Sequence, residues 1–143
     1  MASLIAVGYC GREIRDMLGA MDYSIFKDKI PSARLPYIGP IFSIVKHKGI
    51  CKGDFLENWL RDKYIKKGKM LFKDMKTECR DECLKYKLRV IASDITNKRL
   101  VVLPQDIKKY GVDPDSLDIA RAVRMSMSLP LFFVPIVLRC LYM

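Results

Sequence analysis

The sequence predicts an α/β layered fold around a largely buried sheet. Three observations point there. Several stretches carry apolar residues at helical i, i+3, i+4, i+7 spacing, and short runs rich in β-forming residues lie between them. At residues 120–138, "ARAVRMSMSLPLFFVPIVL", a helical pattern stops at a proline and passes into an apolar run. A chain of 143 residues, 50% hydrophobic and 29% charged, is a single globular domain by length and composition. At that size, folding buries about 70% of the unfolded surface.

The elements follow in order. Residues 1–7 are apolar or small and precede Gly8, which suits the last turns of a buried helix and its C-terminal stop. Residues 12–21 place Ile14, Met17, Leu18 and Met21 on one helical face. Residues 31–40, with three prolines and one glycine, read as loop. Residues 53–66 form a second amphipathic helix with Phe55, Leu56, Trp59, Leu60 and Tyr64 on one side. Asp54 is its expected N-cap and Glu57 completes a capping box, while Lys63, Lys66 and Lys67 suit the negative end of the helix dipole. Residues 88–92 and 100–103 are short strands, paired as a hairpin through a turn at Asn97-Lys98. Residues 104–110 make one or two helical turns stopped at Gly111. Residues 117–127 are a helix with Ala120, Val123 and Met127 facing inward, ended by Pro130. The apolar run 129–138 has ten residues and two prolines, about half the length of a membrane-spanning helix, and reads as a buried strand.

The usual catalytic constellations are absent from these 143 residues. No G-x-S-x-G nucleophile elbow occurs, and the eight glycines form no phosphate-cradling motif. The single histidine, His47, sits among lysines in "VKHKG", where it reads as a surface residue rather than a base for Cys51. Cys79 and Cys83 would share a helical face, but no second pair completes a metal site, and ordinary cysteines are the better reading. Asp94 in "IASDITN" stands at a strand end, where α/β sheets often place functional groups. The plainer reading is a carboxylate that caps a turn by accepting backbone N–H bonds. Ser126 and Ser128 flank Met127 with no base nearby in sequence, as hydroxyls that cap carbonyls or face solvent do.

Five cysteines and no N-terminal signal pattern point to free thiols and a reducing, cytoplasmic setting. The net charge of +10 is concentrated at Lys46, Lys48 and Lys52 and again at Arg61, Lys63, Lys66, Lys67 and Lys69. Such a run reads first as a solvated helix face. Its second reading is a surface for lipid or anionic membranes, which would place the protein at the membrane periphery. Nucleic acid is not expected, because no platform of aromatic residues interleaves the cations.

"VIASDITNKRLVVLP", followed by "YGVDPDSLDIARAVRMSMSLPLFFVPIVL", resembles the second half of the patatin-like phospholipase family, especially its small bacterial members. "ASLIAVGYCGREIRDML" resembles the family's helix after the nucleophile, and "CKGDFLENWLRDKY" a helix of its middle region that follows a glycine. The likeness runs from Ala2 to about Leu138. It implies a three-layer fold with a mainly parallel central sheet flanked by helices. It also implies a serine–aspartate dyad that hydrolyses acyl esters of lipids without a cofactor, assisted by a glycine-rich oxyanion loop. In the family a segment like "ARAVRMSMSLPLFFVPI" leads to the D-G-G or D-G-A turn of the catalytic aspartate. By this likeness the nucleophile would fall a few residues before Met1 and the aspartate just after Leu138. Residues 1–143 are therefore expected to be one partial domain, truncated at both ends. No catalytic, cofactor-binding or metal residue is assigned, and the chain alone is expected to be inactive. Two other readings stand beside it: a non-enzymatic basic module that meets membranes or a partner chain, and a half-enzyme completed by a separate polypeptide. Exposed sheet edges are expected to favour self-association.

Overall fold

The computed structural model describes residues 1–22, 49–79, 84–129 and 131–138. The expected loop at 31–40, His47, Cys83 and Pro130 lie outside the described residues. Helix α1, Ala2–Val7, buries Ser3, Leu4 and Val7 and ends at Gly8, whose φ of 110° lets its N–H turn back onto the Leu4 and Ile5 carbonyls. Helix α2, Gly11–Gly19, starts where the Glu13 carboxylate accepts the Cys10 N–H at 2.7 Å. It buries Ile14, with Met17 and Leu18 half-buried, and Met21 follows beyond the helix end.

The short strand β1, Gly49–Cys51, leads through Gly53 into helix α3, Asp54–Lys66. Leu56, Leu60 and Tyr64 are buried in the core, and Phe55 and Trp59 are half-buried beside them. The N-cap is Gly53 at φ 78°, not Asp54, which is already the first helical residue. Backbone reversal decides the cap here, since a residue at positive φ favours glycine over a side chain that could bond. Glu57 is thereby released from capping. It accepts from Arg61 at 2.7 Å one turn on, and Arg61 also donates to Asp118 at 2.9 Å.

Helix α3 holds α1 through two tyrosines. The Tyr64 hydroxyl donates to Ser3 Oγ at 2.8 Å inside the core, and Tyr9 donates to the Lys63 carbonyl at 2.9 Å. Burial pushes the Tyr64 phenol up to about 12. A 3₁₀ turn, Phe72–Met75, inserts both end residues into the core, and the Asp74 carboxylate anchors it by accepting the Met70 and Leu71 N–H groups at 3.0 and 2.9 Å.

Strands β2, Val90–Asp94, and β3, Arg99–Leu103, pair antiparallel from Val90 opposite Leu103 to Asp94 opposite Arg99. The turn expected at Asn97-Lys98 lies in their short connection, with Lys98 at φ 52°. Two 3₁₀ segments follow, Gln105–Tyr110 and Pro114–Ser116, the first stopped by Gly111 at φ 74°. The Asp106 carboxylate accepts the Val102 N–H at 2.8 Å. Helix α4, Ile119–Ser126, is capped by Asp118, whose carboxylate accepts the Arg121 N–H at 3.1 Å. Strand β4, Leu131–Phe133, pairs parallel with β1 in the register Gly49 to Leu131 and Cys51 to Phe133.

The architecture is α/β, but the described residues hold two two-stranded sheets rather than one mainly parallel sheet. Only β1–β4 is parallel. The β2–β3 pair is antiparallel, because a connection as short as residues 95–98 can join only antiparallel neighbours. One core cluster unites α1, α3, the 3₁₀ segments, the hairpin and α4. Of the three residues expected inward on α4, Ala120 is fully buried and Val123 half-buried. Met127 is exposed, because the helix has ended and Met127 is its C-cap.

Gly53→Ala tests the junction between β1 and α3. A Cβ there would meet the Arg124 guanidinium, with Cζ at 2.5 Å, on a backbone at positive φ. The expected loss is at least about 2 kcal/mol from left-handed strain and overpacking. It would be read as a lower urea midpoint at unchanged m-value; an unchanged midpoint would refute the packing described.

Candidate functional site at the ends of the parallel strands

Helix α4 carries Arg124 inward, where only 3% of the residue stays exposed. Its Nη2 donates to the Lys52 carbonyl and, at 3.1 Å, to the Val134 carbonyl. Lys52 and Val134 are the residues immediately after β1 and β4, so one guanidinium joins the carboxyl ends of both parallel strands. Nη1 donates to Ser128 Oγ at 2.5 Å, and the Ser128 hydroxyl donates back to the Arg124 carbonyl at 2.7 Å. The guanidinium also lies 5.1 Å from the centre of the Phe133 ring, and Gly53 lets it approach the α3 N-terminus.

The energetics require this full set. Desolvating a cation costs several kcal/mol, and charge-assisted hydrogen bonds return about 1.5–3 kcal/mol each. One or two acceptors would leave a deficit, whereas three acceptors and an aromatic face roughly balance it. Arginine suits the role because its planar fork serves acceptors in fixed directions and never loses its charge. The cluster therefore holds backbone and orients the strand ends. It does not move protons. Nothing in the periodicity marked Arg124, since arginine reads as surface. The available signal was its place four residues after Ala120, on the same inward stripe.

Asp94 has the plainer of its two expected roles. Oδ1 accepts the Thr96 and Asn97 N–H groups, both at 3.0 Å, and Oδ2 accepts from Asn97 Nδ2 at 2.7 Å and from the Tyr110 hydroxyl at 2.6 Å. Arg99 adds an ion pair at 3.5 Å and lays its guanidinium 5.4 Å from the Tyr110 ring centre. The Tyr110 hydrogen bond first, then those from Asn97, hold the Asp94 carboxyl far below the usual carboxylate range. A carboxylate so stabilised is a poor proton acceptor. It ties the hairpin turn to the 3₁₀ segment that follows.

The remaining sequence candidates are dispersed. Cys51 is buried at the end of β1, and Cys10 and Cys79 are exposed. No group of three or more histidine, cysteine, aspartate or glutamate side chains placed to hold a metal occurs among the described residues. Ser126 is exposed, while Ser128 belongs to the Arg124 cluster. Part of the basic run on α3 serves the fold itself. Arg61 is paired with Glu57 and Asp118, Lys63 lies over Trp59 at 5.3 Å, and Lys67 binds Glu13 at 3.3 Å and lies over Tyr9 at 4.4 Å. No described helix is long and apolar enough to cross a membrane.

An α/β scaffold whose helix-to-strand joint is fixed at the strand ends is the framework on which such folds build sites. The family model for patatin-like phospholipase matches residues 1–143, and the chain belongs to that family. It is similar to the uncharacterized protein YqhO of Bacillus subtilis (strain 168), at 38% identity over 143 residues, which is 97% of this chain and 45% of that relative. The chain thus spans less than half of that relative's length. No solved structure matches it significantly.

Two measurements test the site. Arg124→Ala leaves the strand-end carbonyls without their donor and is expected to cost about 3 kcal/mol or more; Arg124→Lys should recover only part, because an ammonium cannot reproduce the fork. Equal stability of Arg124→Lys and the parent in urea would contradict the fork argument. For Asp94, a depressed folded-state pKa means that its stabilisation is present at neutral pH and lost as pH falls below about 4. Asp94→Asn should therefore weaken the hairpin at neutral pH and flatten the acid limb of the stability curve. An acid limb identical to the parent's would show that Asp94 does not carry it.

Proposed function

We propose that these 143 residues form scaffold of a patatin-type lipid acyl hydrolase and are catalytically silent as they stand. The observation that carries this reading is the α4–β4 joint, "ARAVRMSMSLPLFFVPI", with Arg124 pinning the start of the run after β4 to the end of β1. In the family such a joint precedes the turn that bears the catalytic aspartate. A serine of G-x-S-x-G attacks the acyl carbonyl, its proton passes towards that aspartate, the alcohol leaves, and water releases the acyl group. Backbone N–H groups of a glycine-rich loop stabilise the oxyanion. None of the 143 residues forms G-x-S-x-G, a D-G-G or D-G-A turn, or such a loop. The parallel β1–β4 pair, which α3 follows and α4 precedes in the chain, is read as part of a three-layer arrangement with a mainly parallel central sheet.

A second reading, favoured by the charge of +10, is a non-enzymatic module that binds anionic membrane surfaces or a partner chain, including one that supplies the catalytic parts. The deciding experiment incubates the purified chain with a short acyl ester and with a serine-directed fluorophosphonate. Neither turnover nor covalent labelling is expected. Turnover abolished by the probe would overturn the silent reading. Activity that appears only on adding a polypeptide containing G-x-S-x-G would support the two-chain version.

A further inference from the structure

The β2–β3 hairpin has two unlike faces. On β2 and the segment before it, Leu88 and Val90 are buried while Lys87, Arg89, Ile91 and Ser93 alternate with them and are exposed. Across the pair, Ile91 opposes Val102 and Ser93 opposes Leu100, so these four share the outer face. Ile91 is 58% and Leu100 63% exposed, and Ile95 in the connecting turn is 57% exposed. Three large aliphatic side chains in water on one short hairpin form a patch, not a scattering.

The charge around this patch is one-sided. Between residues 84 and 103 the cations are Lys85, Lys87, Arg89, Lys98 and Arg99, against the single acid Asp94. That acid is occupied by Tyr110, Asn97, the turn N–H groups and Arg99. Lys87, Arg89 and Lys98 are exposed and make no ion pair among the described residues. This contrasts with Arg61 and Lys67 on α3, which are bound to carboxylates. An aliphatic centre with a cationic rim matches the interface of an anionic bilayer, where apolar side chains enter the acyl boundary and lysines and arginines meet the head groups. A polyanion such as nucleic acid would match the rim but leave the aliphatic centre in water.

We infer that the outer face of the β2–β3 hairpin is a docking surface for anionic lipid bilayers, with Ile91, Ile95 and Leu100 inserting and Arg89, Lys87 and Lys98 contacting head groups. The inference does not depend on hydrolysis, since docking is read without turnover.

The test is co-sedimentation of the full chain with vesicles of phosphatidylglycerol and phosphatidylcholine, compared with phosphatidylcholine alone. Binding is expected only to the anionic vesicles and falls as salt rises. Ile91→Ser with Leu100→Ser should lower the partition about tenfold. Arg89→Ser with Lys98→Ser should lower it more than tenfold, since each cation near an anionic surface contributes roughly fivefold. The charge-matched pair Lys66→Ser with Lys73→Ser, at two exposed positions off the hairpin, should change it little. All variants alter exposed side chains, and circular dichroism of each checks that it folds. No binding to anionic vesicles overturns the inference. So does an equal loss in the Lys66/Lys73 variant, which would mean attraction by net charge alone. Dimerisation in sedimentation velocity that is abolished by Ile91→Ser with Leu100→Ser, with vesicle binding unchanged, would assign the face to a second copy instead. Fluorophosphonate labelling bears only on the catalytic reading, so the two can fail separately.

Discussion

The rest of the structure depends on one buried cation. Arg124 is the only described side chain that bonds to backbone just past both parallel strands, and it also occupies the space that Gly53 leaves open. Strand β1 is three residues long, and so is β4, far too short to hold register by their own ladder. The guanidinium substitutes for ladder length. It sets where the chain leaves each strand, and through Gly53 where α3 begins.

The same economy governs the surface charge. A chain with +10 net charge pays in self-repulsion, and α3 reduces that cost by threading Arg61 and Lys67 onto carboxylates from neighbouring elements. Partly exposed pairs of this kind contribute little individually, about 0–1 kcal/mol. Their effect is on where positive potential remains. The hairpin, whose one acid is already satisfied by hydrogen bonds and Arg99, keeps Lys98 facing solvent, as do Lys87 and Arg89 just before it.

Local features were legible in the sequence wherever a residue type is forced by backbone geometry. Gly8 and Gly111 stop their helical segments at positive φ, and the β-rich runs around Asn97-Lys98 pair as a hairpin. The family, too, was legible in the stretch from Ala120 to Pro135. Misreadings arose where two rules competed. Asp54 has the right side chain for a cap, but the chain reverses one residue earlier, at Gly53. Strand β1 went unseen because three residues containing a glycine show no alternation, and its partner Leu131–Phe133 is distant in sequence. Arg124 was invisible because two of its three acceptors are carbonyls, which every residue possesses and no pattern displays.

Asp106 illustrates how much one side chain after a turn can decide. Its carboxylate takes the Val102 N–H, one residue before the C-terminal end of β3. A foreign strand laid alongside β3 would find that donor already used and the Asp106–Lys109 ion pair, closed at 2.7 Å, beside it. Near the C-terminal end of β3 an added strand would thus meet the protein's own chain, in the way that charged side chains blunt strand edges, while the hairpin's broad side stays open.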